Sequence, residues 1–89
     1  MTCYCYILKC ADGTFYTGWT TDPERRVVQH NKGLGAKYTS ARRPVKLVYV
    51  ESHANQRRAM QRELEIKKMK RMQKGKLVES YKREKKLGN

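Results

Sequence analysis

Tyr6, Tyr16, Arg26, His30 and Glu63 are the side chains whose types and spacing could do chemistry. Arg26 and His30 are four residues apart, so a helix would carry them on one face. An arginine offers a rigid fork of donors that fits a pair of phosphate oxygens. A histidine gives or takes a proton near neutral pH. The same pair is also common on an ordinary solvated helix. Tyr6 and Tyr16 lie in apolar, strand-like runs, where a tyrosine can serve as core filler with a polar tip. Tyr16-Thr17-Gly18 is more suggestive, because a glycine in a strand lets another group approach a tyrosine hydroxyl closely.

Glu63 stands out by helical projection at about 100° per residue. On that projection Ala59 and Ile66 fall on one side of an apolar face, Met60 and Leu64 on the other, and Glu63 between them. Glu65 points away. A buried carboxylate is costly unless it is paired or binds a metal. The alternative is an ion pair with Lys67, one turn on, with the helix rotated so that both are exposed. Residues 34–44, LGAKYTSARRP, set Lys37, Arg42 and Arg43 beside Tyr38, Thr39 and Ser40. Basic groups interleaved with hydroxyls suit contacts to a phosphate backbone, and a solvated charged loop is the bland reading.

These groups sit in a chain of 89 residues, short enough for one domain with an economical core. Its net charge is +13, from 21 Lys plus Arg against 8 Asp plus Glu. Residues 1–52 hold 8 basic and 4 acidic side chains, and residues 53–89 hold 13 and 4. Such a surplus repels itself unless a polyanion offsets it, and nucleic acid is the commonest such partner. Cys3, Cys5 and Cys10 are odd in number and badly spaced for a disulfide or a zinc site, so free thiols in a reducing cytosol are expected. The run Cys3 to Leu8 is too short for a signal-peptide core, and nothing approaches the roughly 20 apolar residues that span a bilayer. A cytoplasmic protein without membrane contact is the expectation.

The elements that must position the candidates follow from local chemistry. CYCYILKC at 3–10 and TFYTGWT at 14–20 read as a β-hairpin turned at Asp12-Gly13. Asp22-Pro23 opens a helix through ERRVVQHNK that stops at Gly33. Residues 34–44 read as a polar connection and 45–51 as a third strand, with Val45, Leu47 and Tyr49 on one face and Lys46, Val48 and Val50 on the other. Residues 53 to 72 predict the longest helix, punctuated by Gln73-Lys74-Gly75, with a charged helix over 76–86 that frays at the end. The fold class is α+β: a small three-stranded antiparallel or mixed sheet in the order β-β-α-β-α, flanked by helices. The organisation is a domain over 1–74 and a basic helical C-terminal tail over 75–89.

In this order the pieces CYILKC, DG, FYTGWT and ERRVVQHN, followed by GAKYTSARRPVKLVYVE and RRAMQRELEIKKMKR, resemble the GIY-YIG nuclease superfamily. The likeness is to its short stand-alone bacterial members and covers about Tyr4 to Lys70. Tyr4-Cys5-Tyr6 stands where the family has Gly-Ile-Tyr, and Tyr16-Thr17-Gly18 where it has Tyr-Ile-Gly. The resemblance implies that Tyr6 and Tyr16 are the motif tyrosines, Arg26 the catalytic arginine, His30 the accompanying histidine and Glu63 the metal ligand. It implies an endonuclease that hydrolyses phosphodiester bonds with one Mg²⁺ or Mn²⁺, on DNA ahead of RNA, with a structure-specific target and a place in DNA repair. Glu63 would hold the cation and Arg26 would neutralise the phosphate. Tyr6, assisted by His30 or Tyr16, would position or deprotonate the attacking water, with its pKa lowered by Arg26 and the metal. Lys37, Tyr38, Arg42, Arg43 and Lys67 are the expected nucleic-acid contacts. The alternatives are a binding module without catalysis, or a nuclease subunit whose protein partner supplies targeting.

Overall fold

The run expected to be a buried strand becomes the centre of the sheet. In the computed structural model, which describes residues 1–87 and side chains through Lys85, β1 spans Cys3–Lys9 and β2 spans Phe15–Thr20. A third strand, β3, spans Lys46–His53 and pairs with the other edge of β1, giving an all-antiparallel sheet of order β2-β1-β3. A central strand covered on both faces must be apolar almost throughout, and Cys5, Tyr6, Ile7 and Leu8 are all 0–1% exposed. Among the described residues the fold is the expected α+β architecture, with four helices rather than three: α1 (Pro23–Asn31), α2 (Lys37–Ser40), α3 (Gln56–Lys67) and α4 (Arg71–Leu87).

The sheet separates two small cores. Tyr6, Leu8, Cys10 and Val45 pack on one face with Tyr16, Val27, Leu47 and Val50, under α1. Cys5, Ile7 and Ile66 pack on the other with Phe15, Val48, Tyr49, Leu77 and Val78, under α3 and α4. Helix α1 begins as expected. Asp22 caps it by accepting from Arg25 N, Pro23 occupies the first turn, and Gly33 beyond its end has φ +81°.

Three local expectations change. The alternation expected for β3 breaks, because the register skips Val48 between Ile7–Tyr49 and Leu8–Leu47. This bulge reverses the parity, so Tyr49 joins Val48 on one face and Val50 joins Leu47 on the other. The connection 34–44 contains the single-turn helix α2. The break after α3 falls at Lys68–Lys70 instead of 73–75, and α4 runs unbroken through Gly75. Met69 turns inward at that break to join the core with Leu77 and Val78. Burial of apolar side chains on one face thus overrides the local cost of a helical glycine. The charged helix expected over 76–86 packs on the sheet through Leu77, Val78 and the Tyr81 ring, which stands edge-on to Tyr49 at 5.6 Å. Residues 88–89 of the expected tail lie outside the described residues.

Candidate active site

Tyr6 lies opposite Gly18 in the hairpin register. Its phenol passes over that glycine toward the open edge of β2. A Cβ added at Gly18 would stand 2.5 Å from Tyr6 Oη, so the glycine is required by the tyrosine beside it in space. Tyr6 Oη lies 2.9 Å from His30 Nε2, which α1 delivers from above. His30 is 0% exposed, and its other ring nitrogen, Nδ1, lies 2.7 Å from Thr39 Oγ1 on α2.

Donor counting sets the tautomer. Thr39 Oγ1 donates its one hydrogen to Ala36 O at 3.0 Å, so toward His30 it accepts. His30 therefore carries its hydrogen on Nδ1 and presents a bare Nε2 to the Tyr6 hydroxyl, which donates. Burial first, and the Arg26 charge second, push the His30 pKa down, so the ring is neutral at pH 7. The result is a hydrogen-bonded chain, Tyr6 to His30 to Thr39, in which Nε2 is the acceptor that the phenol's proton would reach.

The Tyr6 pKa differs from what the mechanism implied by the resemblance called for. It is pushed up to about 12, because burial outweighs the neighbouring Arg26 guanidinium, which lowers it. A free phenolate is therefore not the resting species, and any proton Tyr6 accepts requires that its own leave for His30. Tyr16 contributes otherwise than by hydrogen bonding to Tyr6. Its ring stands edge-on to His30 at 5.3 Å and stacks on Tyr38 at 6.0 Å, closing the hydrogen-bonded chain on the hairpin side.

Arg26 is half-buried, with Nη1 donating to Gln29 Oε1 at 3.0 Å. Beyond it, an open groove of about 450 Å³ is lined by Trp19, Asp22, Arg25, Arg26 and Gln29 among others. Glu63 comes from α3, which packs on the opposite face of the sheet from α1. Its charge is felt at Tyr6. The projection of α3 needs correction: Met60 and Leu64 are 43% and 57% exposed, and only Ala59 and Ile66 are fully buried. Glu63 sits at the rim of that narrower face with its side chain 16% exposed, and it makes the 3.7 Å ion pair with the more open Lys67 that was its alternative role. Covered carboxylate and ion pair thus coexist.

Several positioning residues escaped the sequence reading. Gly35 packs against His30 so closely that an added Cβ would fall inside the imidazole ring's van der Waals envelope. Thr39 orients the ring. Asn31 ties the end of α1 to the start of β3, accepting from Val45 N at 2.7 Å and donating to Val45 O at 3.1 Å. Its adjacency to His30 in the QHN run was the only signal. Arg62, beside Glu63, donates from Nε to both oxygens of Glu51 at 3.1 Å, and His53 Nε2 lies 2.6 Å from the same carboxylate. Tyr49 donates to Glu51 as well. This knot fixes the rotation of α3 against β3 and so aims Glu63.

Of the expected nucleic-acid contacts, Lys37 and Lys67 are solvent-facing. Tyr38 lies beneath the Arg42 guanidinium, 3.9 Å from ring centroid to Cζ. Arg42 also pairs with Asp12 at 3.0 Å and donates to Tyr38 O, while Arg43 donates to Ser40 O. Both arginines thus brace α2, which carries Thr39. All three cysteines are free and buried, as expected. Among the described residues no helix is long and apolar enough to cross a membrane.

The Glu51 knot has a pH signature. Burial would raise the Glu51 pKa, but the hydrogen bonds from Tyr49 and Arg62 outweigh it and hold the carboxyl below its usual value. A carboxylate with a depressed folded pKa stabilises the fold above its unfolded pKa, and that contribution is lost as pH falls through the folded value. Wild-type protein is therefore expected to lose stability below pH about 4.5 more steeply than Glu51→Gln, which should be less stable at pH 7. Melting temperatures of the two from pH 3 to 7 measure this, and parallel curves would exclude it.

With this geometry in place, the relatives can be compared. The GIY-YIG catalytic domain matches residues 2–76. A UPF0213 protein of Clostridium perfringens is 56% identical over 77 residues, 86% of this chain and 83% of that one. A UPF0213 protein of Natronomonas pharaonis is 55% identical over 75 residues, 84% of this chain and 88% of its own. The solution structure of a UPF0213 protein from Bacillus halodurans, 46% identical, superposes with a TM-score of 0.57 over 89% of this chain and 84% of that one. One from E. faecalis, 40% identical, gives 0.60 over 91% and 86%. The match over residues 2–76, most of the chain, places this protein in the GIY-YIG family of nuclease-type catalytic domains.

Proposed function

We propose that the protein is a metal-dependent endonuclease that hydrolyses phosphodiester bonds in DNA, with a preference for flapped or branched structures. The observation that carries the reading is the 2.9 Å contact between Tyr6 Oη and the bare Nε2 of neutral, buried His30, within the field of Arg26 and Glu63. A core tyrosine needs one hydrogen-bond partner. It does not need a histidine whose tautomer is set by a threonine.

Glu63 fits a hydrated divalent cation. Among the described residues no group of three or more His, Cys, Asp or Glu could hold a metal, so an all-protein cage is not available. Mg²⁺ commonly keeps several waters and takes one or two carboxylates plus a substrate phosphate, and a single covered carboxylate beside Tyr6 suits that. Mn²⁺ would fit the same oxygen donors. When bound there, the cation would supply charge stabilisation to the phosphate and the leaving 3′ oxygen.

The chain's own groups do the rest. Arg26 binds the non-bridging oxygens and neutralises charge that grows in the transition state. Tyr6 aligns the attacking water, and as it accepts a proton its own passes to His30 Nε2. Thr39 holds the hydrogen of neutral His30 on Nδ1, so Nε2 is the nitrogen that receives the proton. The basic surface supplies backbone affinity, hence steep salt dependence.

The test is cleavage of labelled single-stranded, duplex, flapped and branched DNA, and of RNA, with Mg²⁺, Mn²⁺ or EDTA. Metal-dependent cutting of a DNA structure is the expected outcome. Tight, salt-sensitive binding with no cutting of any substrate would replace this reading with a binding module or a nuclease that needs a partner.

A further inference from the structure

A cleft of about 230 Å³ opens beside the Tyr6–His30 site, lined by Phe15, Tyr16, Thr17, Tyr38, Lys67 and Lys74. It brings together the edge strand, α2, α3 and the start of α4. Lys67 and Lys74 both line it, close enough for the charge of one to act on the other. Burial, and the neighbouring charge of Lys67, push the Lys74 pKa down. No carboxylate pairs with Lys74 among the described residues, and Lys67 is held only by Glu63 at 3.7 Å.

Thr17 adds an independent sign. It lines the cleft, is 3% exposed, and its Oγ1 is buried with no hydrogen-bond partner among the described residues. Buried hydroxyls nearly always have a partner, so an orphan hydroxyl on a residue that lines the same cleft as two lysines marks a place for an acceptor. Two ammonium groups and a hydroxyl donor against an aromatic wall suit a phosphate. Tyr16 is shared: it lines the cleft and stands edge-on to His30, so a phosphate held here lies next to the reacting one.

We propose that the Thr17–Lys67–Lys74 cleft is a phosphate subsite that takes the internal phosphodiester neighbouring the scissile one, and that its occupation draws Lys67 away from Glu63. This rests on the nuclease reading of the Tyr6–His30 site. The second half follows from the first, because one ammonium cannot serve the phosphate and the carboxylate equally. Substrate binding then frees Glu63 for the cation, and the two ligands bind cooperatively.

Binding is measured by fluorescence anisotropy of a labelled oligonucleotide in the Glu63→Gln background, where nothing is cut, across a range of salt. Adding Lys74→Gln should weaken binding and lower the salt slope by about 1. Lys82→Gln, exposed on α4 away from the cleft, removes the same charge and should do much less. Equal losses from the two would mean bulk charge and overturn the subsite, as would no loss from Lys74→Gln. A single neutral methylphosphonate linkage beside the cut position should erase the Lys74→Gln difference. If a 5′-phosphate alone erases it, the source is a terminal phosphate and the internal assignment fails. Without nucleic acid, Lys67→Met should bind Mn²⁺ about fivefold more tightly than wild type in a titration followed by water proton relaxation. Unchanged Mn²⁺ affinity overturns the coupling to Glu63. Because the comparison of Lys74→Gln with Lys82→Gln needs no cleavage, and only the methylphosphonate placement does, a failed nuclease reading and a failed subsite give separate results.

Discussion

Glu63→Gln and Arg26→Ala should each lower the rate of DNA cleavage by about 100- to 1,000-fold or more while leaving the fold intact. Glutamine keeps the shape of Glu63 but not the negative charge a divalent cation requires. Its only ion pair among the described residues is with half-exposed Lys67, and such pairs contribute about 0–1 kcal/mol, so stability should barely change. Arg26 donates to Gln29 on its own helix, lies beside the neutral Tyr6 phenol and faces an open groove, so truncation leaves no unpaired buried charge. The loss should fall on kcat rather than KM, because both groups act on charge that develops during the reaction. Steady-state kinetics on the best DNA substrate, with melting curves alongside, make the measurement. Full activity in either variant would remove that residue from the site.

Gly35→Ala should damage both fold and activity. Its Cβ would occupy the space of the His30 ring, and that ring cannot move aside, since Tyr6 holds one nitrogen at 2.9 Å and Thr39 the other at 2.7 Å. Overpacking a well-filled interior costs about 1–3 kcal/mol, and each kcal/mol lowers the melting temperature of a domain this size by about 4–8 °C. Whatever displacement relieves the clash also lengthens the Tyr6–His30 contact, so activity should fall further than stability alone accounts for. Gly75→Ala is the matched contrast. It lies inside α4 with nothing within 4 Å of the added methyl, and should stabilise by about 0.5–1 kcal/mol. Thermal melts and kinetics on the two variants together test the argument, and an unchanged melting temperature for Gly35→Ala would refute it.

The sequence by itself determined the hairpin, the start and end of α1, and the identity of the five candidate groups. These are local matters: apolar runs bounded by Asp12-Gly13, a cap at Asp22 with Pro23 behind it, and the i, i+4 spacing of Arg26 and His30. Even the glycine after Tyr16 was legible as a place of close approach. What local pattern could not show was which tyrosine approaches. Gly18 follows Tyr16 in the chain but accommodates Tyr6, its partner across the sheet.

Only the tertiary structure decided the rest, and in each case the cause is a contact between distant segments. The bulge at Val48 is set by pairing with β1, and it sends Tyr49 toward α4. The face of α3 is narrower than projection suggested, because the sheet covers only Ala59 and Ile66 fully. The helix break moved to Lys68–Lys70 because Met69 is worth more in the core than in a continuous helix. Thr39 and Gly35 lie in a connection that read as polar loop, and they became parts of the site when α2 folded against α1. The Tyr6 pKa turned on burial, which the sequence does not state and which outweighs the arginine beside it. Residue types can announce a chemistry, but burial, tautomer and distance are properties of the packed chain, and they set how Tyr6, His30 and Glu63 can work together.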